Sequence, residues 1–115
     1  MKWHIHESCG NSPKNKMLID WVQDFIAKNE STPFIDEKST ILYKGETKPL
    51  STFNLSRDIL EMYIDKSITH GNDGAVLGKA VLEKQTHLFA LFFEFSLGKQ
   101  PKIKKVYCVM ETINV

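Results

Sequence analysis

His4-x-His6, with Cys9 three residues on, is the first constellation in this chain whose residue types could do chemistry. In an extended segment His4 and His6 project from one face, and two imidazoles with a thiolate form a donor set that zinc or copper accepts. The same spacing has a plainer reading, in which Trp3 and Ile5 anchor the segment while both imidazoles face water. No fourth ligand is apparent, so no metal or other cofactor is assigned.

Two other residues could move protons. His70 stands just before Gly71-Asn72-Asp73-Gly74, and imidazole is the side chain best suited to proton transfer near neutral pH. At a strand end it can equally hydrogen-bond the turn backbone. Glu94 sits among Phe92, Phe93 and Phe95, where burial would favour its protonated form and let it serve as acid or base. Period-two register sets it opposite Phe93 and Phe95, which favours the alternative of a polar contact at an interface rim. Asp20 and Asp24, and Asp36 and Glu37, are paired carboxylates without a catalytic context and read as solvated faces. The chain carries no nucleophile elbow, phosphate loop, dinucleotide fingerprint or nucleic-acid motif.

The aromatic residues offer a binding surface rather than a reaction. Trp21, Tyr43, Phe89, Phe93 and Tyr107, with Leu91, are the candidate wall of an apolar cavity with polar handles from the indole and phenols. They could equally fill the core and leave no vacancy.

The elements that must position these residues follow from periodicity. Ser12-Pro13 is a helix start, and Met17, Leu18, Trp21, Val22, Phe25 and Ile26 recur at helical spacing, predicting an amphipathic helix from about Pro13 to Lys28. Thr32-Pro33 predicts a short helix over Phe34 to Lys38, followed by a strand from Thr40 to Lys44 and a turn through Glu46 to Pro49. A third helix is expected from Ser51 or Ser56 to about Met62. Beyond it the pattern turns to period two, interrupted by three turns. It predicts four antiparallel strands, Tyr63 to His70, Ala75 to Glu83, His87 to Ser96 and Ile103 to Ile113. A meander preceded by helices needs its apolar face covered by them, an α+β layer.

The strand from His87 to Phe95 carries the most information. Phe89, Leu91, Phe93 and Phe95 line one face, and Leu88, Ala90 and Phe92 the other. A half-solvated strand alternates apolar with polar, so this one requires cover on both sides. Helices supply one cover, and a second copy of the sheet in a two-fold homodimer supplies the other.

Composition narrows the function classes. The 115 residues, 42% hydrophobic and 25% charged, suit one domain spanning 1–115. Fifteen basic against fourteen acidic residues leave a net charge of +1, which provides no broad field for nucleic acid or an acidic membrane. The N-terminal stretch lacks the apolar core of a signal peptide and no apolar run could span a bilayer, so a cytoplasmic protein is expected. Cys9 and Cys108 make neither a disulfide framework nor a metal-binding pair, and both are expected as reduced thiols, Cys108 in the core.

Several short words carry a family resemblance. Ile68-Thr69-His70-Gly71, Gly74-Ala75-Val76-Leu77-Gly78, Phe93-Glu94-Phe95-Ser96, Lys102-Ile103-Lys104-Lys105-Val106-Tyr107 and the Cys9-Gly10-Asn11-Ser12-Pro13 approach to the first helix resemble small bacterial proteins of the nuclear transport factor 2-like superfamily. That superfamily includes ketosteroid isomerase, scytalone dehydratase and the polyketide-cyclase-like, or SnoaL-like, proteins, all with a cystatin-like α+β fold. The resemblance implies a cone-like curved antiparallel β-sheet wrapped around a long N-terminal helix, its mouth holding a small apolar ligand. The fold hosts isomerases, dehydratases, hydrolases and non-catalytic adaptors, so it does not imply one reaction. Ketosteroid isomerase uses a general-base Asp with an oxyanion hole of Tyr and protonated Asp. No position of this chain matches those residues, and Leu91 stands where an acid would be expected.

Two functions remain open at this point. One is a domain binding a small apolar or amphipathic ligand, with at most simple proton-transfer chemistry. The other is a non-catalytic dimeric interaction module with a filled cone. A cavity above roughly 300 Å³ with convergent polar groups favours the first, and a closed cone the second.

Overall fold

Ser12 and Pro13 open the helix as the sequence predicts. In the computed structural model, which describes residues 2–6, 12–26, 35–52, 58–97 and 102–114, the Ser12 hydroxyl accepts the Asn15 backbone N–H at 3.2 Å. Its carbonyl accepts that of Lys16 at 2.9 Å. These bonds occupy donors the first turn would otherwise leave unpaired, and Pro13 has no N–H to satisfy. Helix α1 runs Pro13–Ile26. It buries Leu18, Ile19, Trp21 and Val22 and packs Met17 and Phe25 partly against the same core. Lys16 and Asp20 form an ion pair of 3.1 Å one turn apart on the outside. No helix of the described residues is long and apolar enough to cross a membrane.

The other elements are strands: β1 (Lys2–Ile5), β2 (Ile35–Tyr43), β3 (Glu46–Pro49), β4 (Glu61–His70), β5 (Asp73–Val81), β6 (Gln85–Phe95) and β7 (Ile103–Asn114). They form one sheet in the order β1-β4-β5-β6-β7-β2-β3. The predicted antiparallel meander is present as β4 to β7, with Phe89 opposite Gly78 on one side and Met110 on the other. Strand β1 adds to β4 in parallel, and β2 adds to β7 in parallel.

Three expectations give way to tertiary pairing. Ile35 to Lys38 are extended in β2 rather than helical; Phe34 lies outside the described residues. The Asp36 carboxylate accepts the Lys38 backbone N–H at 2.8 Å and the Ser39 hydroxyl donates to the Ile103 carbonyl at 2.7 Å. These side-chain bonds hold a bulge between Ile35 and Thr40, and such local bonds compete directly with helix formation. Glu46 to Pro49 form an edge strand, not a turn. The turn is Lys44-Gly45, whose φ values of 52° and 79° are those a two-residue hairpin needs; Pro49 is tolerated because β3 is an edge. Finally, the middle of the third expected helix, residues 53–57, lies outside the described residues; at its two ends Leu50–Thr52 make a single 3₁₀ turn, Asp58 to Leu60 are irregular and Met62 lies in β4. The Leu60 backbone N–H donates to Val81 at 2.8 Å and its carbonyl accepts that of Lys2 at 3.0 Å. Ladder bonds on both sides outweigh the weak helical spacing of Ile59 and Met62.

Along β6 the two faces separate as the pattern requires. Phe89, Leu91, Phe93 and Phe95 are buried under α1 and the rest of the core, whereas Leu88 and Phe92 are exposed. Where β4 bulges between Ile64 and Lys66, β5 comes so close that a Cβ on Gly78 would lie 2.0 Å from the Tyr63 carbonyl oxygen and 2.9 Å from the Phe89 ring.

Backbone cannot yield as a side-chain tip can. Gly78→Ala is therefore expected to cost about 3 kcal/mol, the upper range for overpacking, measured as a fall in the urea midpoint. Gly45→Ala, with nothing within 4 Å of the added methyl, should cost only about 1 kcal/mol through its positive φ.

Candidate functional site

The tight part of the core lies toward the start of α1. Trp21 stacks on Phe25 at 4.9 Å and meets Phe93 edge-on at 5.5 Å. Leu18 and Phe95 close over Gly74, where a Cβ would lie 2.9 Å from the Leu18 Cδ1 and 3.2 Å from the Phe95 ring.

Toward the end of α1 the packing opens. Val22 and Phe25 are the helix residues here, and the sheet opposite them supplies Met62 from β4, Ala80 from β5, His87, Phe89 and Leu91 from β6, and Cys108, Met110 and Thr112 from β7. Tyr43, Lys44, Ile59 and Leu82 complete the wall of a cavity of about 240 Å³. The vacancy has a sequence cause, since Ala80 and Cys108 contribute little volume to the wall at the level where large residues would be needed to fill it.

His87 is the central polar group of this wall. Only 8% of it is exposed, and its Nδ1 lies 2.8 Å from the Thr112 hydroxyl of the directly paired residue on β7. Among the described residues its Nε2 has no hydrogen-bond partner. The Tyr43 hydroxyl lies 4.0 Å from the Met110 sulfur. Cys108 is buried, and loss of hydration pushes its thiol from 9.0 up to about 11. It pairs with Leu91, four residues along the strands from the His87–Thr112 pair, so it is about 13 Å from the imidazole. That separation excludes a Cys–His nucleophilic pair. Among the described residues the wall carries no carboxylate.

The sequence candidates are divided between three environments. Tyr43, Phe89 and Leu91 line the cavity. Trp21 and Phe93 belong to the packed core beyond it, and the Trp21 indole N–H is buried without a partner. Tyr107 is on the opposite face of the sheet, where its hydroxyl donates to Glu94 Oε1 at 3.0 Å and Lys105 lies 4.8 Å over its ring. The odd-even alternation of β7 that directs Val106 and Cys108 inward directs Tyr107 outward. Glu94 shares that outer face, and His70 is exposed at the end of β4; neither reaches the cavity.

At the N-terminus, His4 stacks on Tyr63 at 4.3 Å and its Nε2 lies 3.1 Å from Glu61 Oε1, while Lys79 lies 4.7 Å from the same Tyr63 ring. His4 is thus engaged in holding β1 to β4. Cys9 lies outside the described residues, and among those described no three metal-ligating side chains converge.

His87 was not singled out from the sequence, although its phase was readable. It is two residues before Phe89 in the series His87, Phe89, Leu91, Phe93, Phe95, all pointing inward. The same count from Cys108 gives Met110 and Thr112.

A helix laid on the inner face of a seven-stranded curved sheet, with a cavity at one end, defines the nuclear transport factor 2-like cone fold, and solved structures bear this out. One similar structure is a nuclear transport factor 2-like protein of unknown function from Cytophaga hutchinsonii, with a TM-score of 0.59, 10% identity, and 83% of this chain and 87% of that one covered. Another is a candidate ketosteroid isomerase from Shewanella frigidimarina, with a TM-score of 0.57, 12% identity, and coverage of 92% and 99%. No family model matches the chain, and no curated protein matches it.

The raised thiol makes Cys108 a reporter of the cavity. In a Cys9→Ser variant at pH 8, native Cys108 should carry about 100-fold less thiolate than an ordinary cysteine and react with an aromatic disulfide at least that much more slowly than after unfolding in urea. Equal rates would show that the cavity wall is not dry.

Proposed function

We propose that the chain is a ligand-binding domain whose cone takes up a small apolar or amphipathic molecule. The observation that carries this reading is the cavity of about 240 Å³ under the end of α1, with an apolar wall and the His87 imidazole facing it. Its volume falls below the roughly 300 Å³ at which ordinary ligand pockets begin, which sets the scale of the ligand. A site of about 150 Å³ holds benzene, so a molecule of about ten non-hydrogen atoms matches this one.

Isomerase chemistry of the kind named for the Shewanella protein is less well supported here. A carboxylate base would have to come from the wall, which among the described residues holds none. His87 is the group that could exchange a proton with a bound molecule.

The outer face of the sheet supports a homodimer. Ile68 is 57%, Phe92 46% and Val109 61% exposed. Leu77, Leu88 and Ile113 extend the patch on neighbouring strands, with Ala75 and Ala90 between them. Lys79, Lys105, Glu94 and Glu111 border it with both signs of charge, as a self-complementary two-fold contact requires. This face also favours the second reading, an interaction module in which the sheet surface, not the cone, is the working part.

Two measurements separate these readings. In a thermal-shift screen, apolar compounds of about ten non-hydrogen atoms should stabilise the protein by about 2.7 kcal/mol at a hundredfold excess over Kd. Leu91→Trp, which fills the cavity, should abolish the effect, and a broad library without a hit leaves the module reading. In light scattering at micromolar concentration the mass should be twice 13.2 kDa, falling to the monomer in Phe92→Asp; a monomeric wild type rules out the dimer.

A further inference from the structure

We infer that the molecule taken up by the cone is a small apolar monocarboxylic acid, bound with its carboxylate against the open nitrogen of the His87 ring. The inference rests on the ligand-binding reading above and names the chemistry of that ligand.

Four observations converge on it. First, His87 is more than nine-tenths buried on the cavity wall, with Nδ1 engaged by Thr112 and Nε2 without a partner among the described residues. A ring nitrogen without a protein partner among the described residues, on a residue that lines the cavity, is a hydrogen-bonding position that a ligand can take.

Second, Thr112 leaves the ring free to be charged. A hydroxyl can accept from Nδ1–H or donate to a bare Nδ1. Had the partner been a backbone N–H or a lysine, it would have to donate, and Nδ1 could never carry a proton. With Thr112 as acceptor, both ring nitrogens can be protonated, one hydrogen bond going to Oγ1 and the other into the cavity.

Third, the charge balance of the wall favours an anion. Lys44 and His87 are its basic residues, Tyr43 and Cys108 add a hydroxyl and a thiol, and no described wall residue is a carboxylate. Among the described wall residues an imidazolium here has no counter-charge, and a ligand carboxylate would provide it through a charge-assisted hydrogen bond. Lys44 is exposed at the rim, with its ammonium 5.3 Å from the Tyr43 ring, where it adds attraction for an incoming anion.

Fourth, the wall away from His87 suits an aliphatic or aromatic tail. Between the His87–Thr112 and Leu91–Cys108 pairs, Phe89 and Met110 provide apolar surface over about 13 Å of strand. Methionine adapts its shape to irregular apolar groups.

Octanoate, with ten non-hydrogen atoms, and its neutral analogue octan-1-ol test the inference by calorimetry at pH 7. Octanoate should bind at least about tenfold more tightly than octan-1-ol, and His87→Gln should cost octanoate about tenfold or more while leaving octan-1-ol within about twofold. Leu91→Trp should abolish both. On uniformly ¹⁵N-labelled wild type, octanoate should move the His87 ring nitrogens to imidazolium shifts, a readout that does not depend on any variant folding. Equal binding of the two probes, an unaffected His87→Gln or a neutral ring in the octanoate complex overturns the carboxylate assignment and leaves the cavity reading standing. Binding of neither probe overturns both.

Discussion

The central strand of the sheet is apolar on both faces, and the rest of the structure answers that constraint. β6 occupies the middle of the seven-strand order, so neither face can be hidden by folding the strand to an edge. Each inward side chain of the Phe89, Leu91, Phe93, Phe95 series must find cover from α1, because removing such side chains from water is worth about 1.5–3 kcal/mol apiece. In the outward series, Leu88 and Phe92 are exposed among the described residues. The first requirement fixes where the helix lies, and the second is the ground for the proposed dimer.

Cover on the inner face is uneven, and the unevenness makes the site. At the start of α1, Leu18 and Trp21 meet Phe93 and Phe95 with no room to spare. Toward the other end, the small residues on β5 and β7 are Ala80 and Cys108, and among the described residues the helix presents Val22 and Phe25. Large residues on β6 beside small ones on its neighbours leave a gap. The His87–Thr112 pair borders that gap as a neighbouring cross-strand pair, so its geometry is set by the ladder rather than by a loop.

Much of this was legible in the sequence because it rests on periodicity. The first helix, the four-strand meander and the two-faced character of β6 follow from spacing that tertiary contacts reinforce. The short segments were not legible. Thr32-Pro33 signals a helix, but the side chains of Asp36 and Ser39 hold a bulge; β1 is a four-residue strand whose partner β4 is distant in the chain, and β3, joined to β2 by the Lys44-Gly45 hairpin, has only four residues and carries Pro49 at its end. The site was half legible. Tyr43, Phe89 and Leu91 could be placed by alternation, and so could His87, but which inward residues line a gap and which fill the core depends on the opposing strand. Tyr107 was attractive as an aromatic with a polar handle, yet its phase relative to Val106 and Cys108 directs it outward.

The account depends most on the cone being vacant at one end. A crystal structure determined under xenon pressure measures this directly, since xenon enters dry apolar cavities and is located by its scattering. The account predicts a xenon atom between Met62, Phe89, Leu91 and Met110, with the surrounding side chains unmoved. Absence of xenon there, with those side chains closed upon one another, would contradict it.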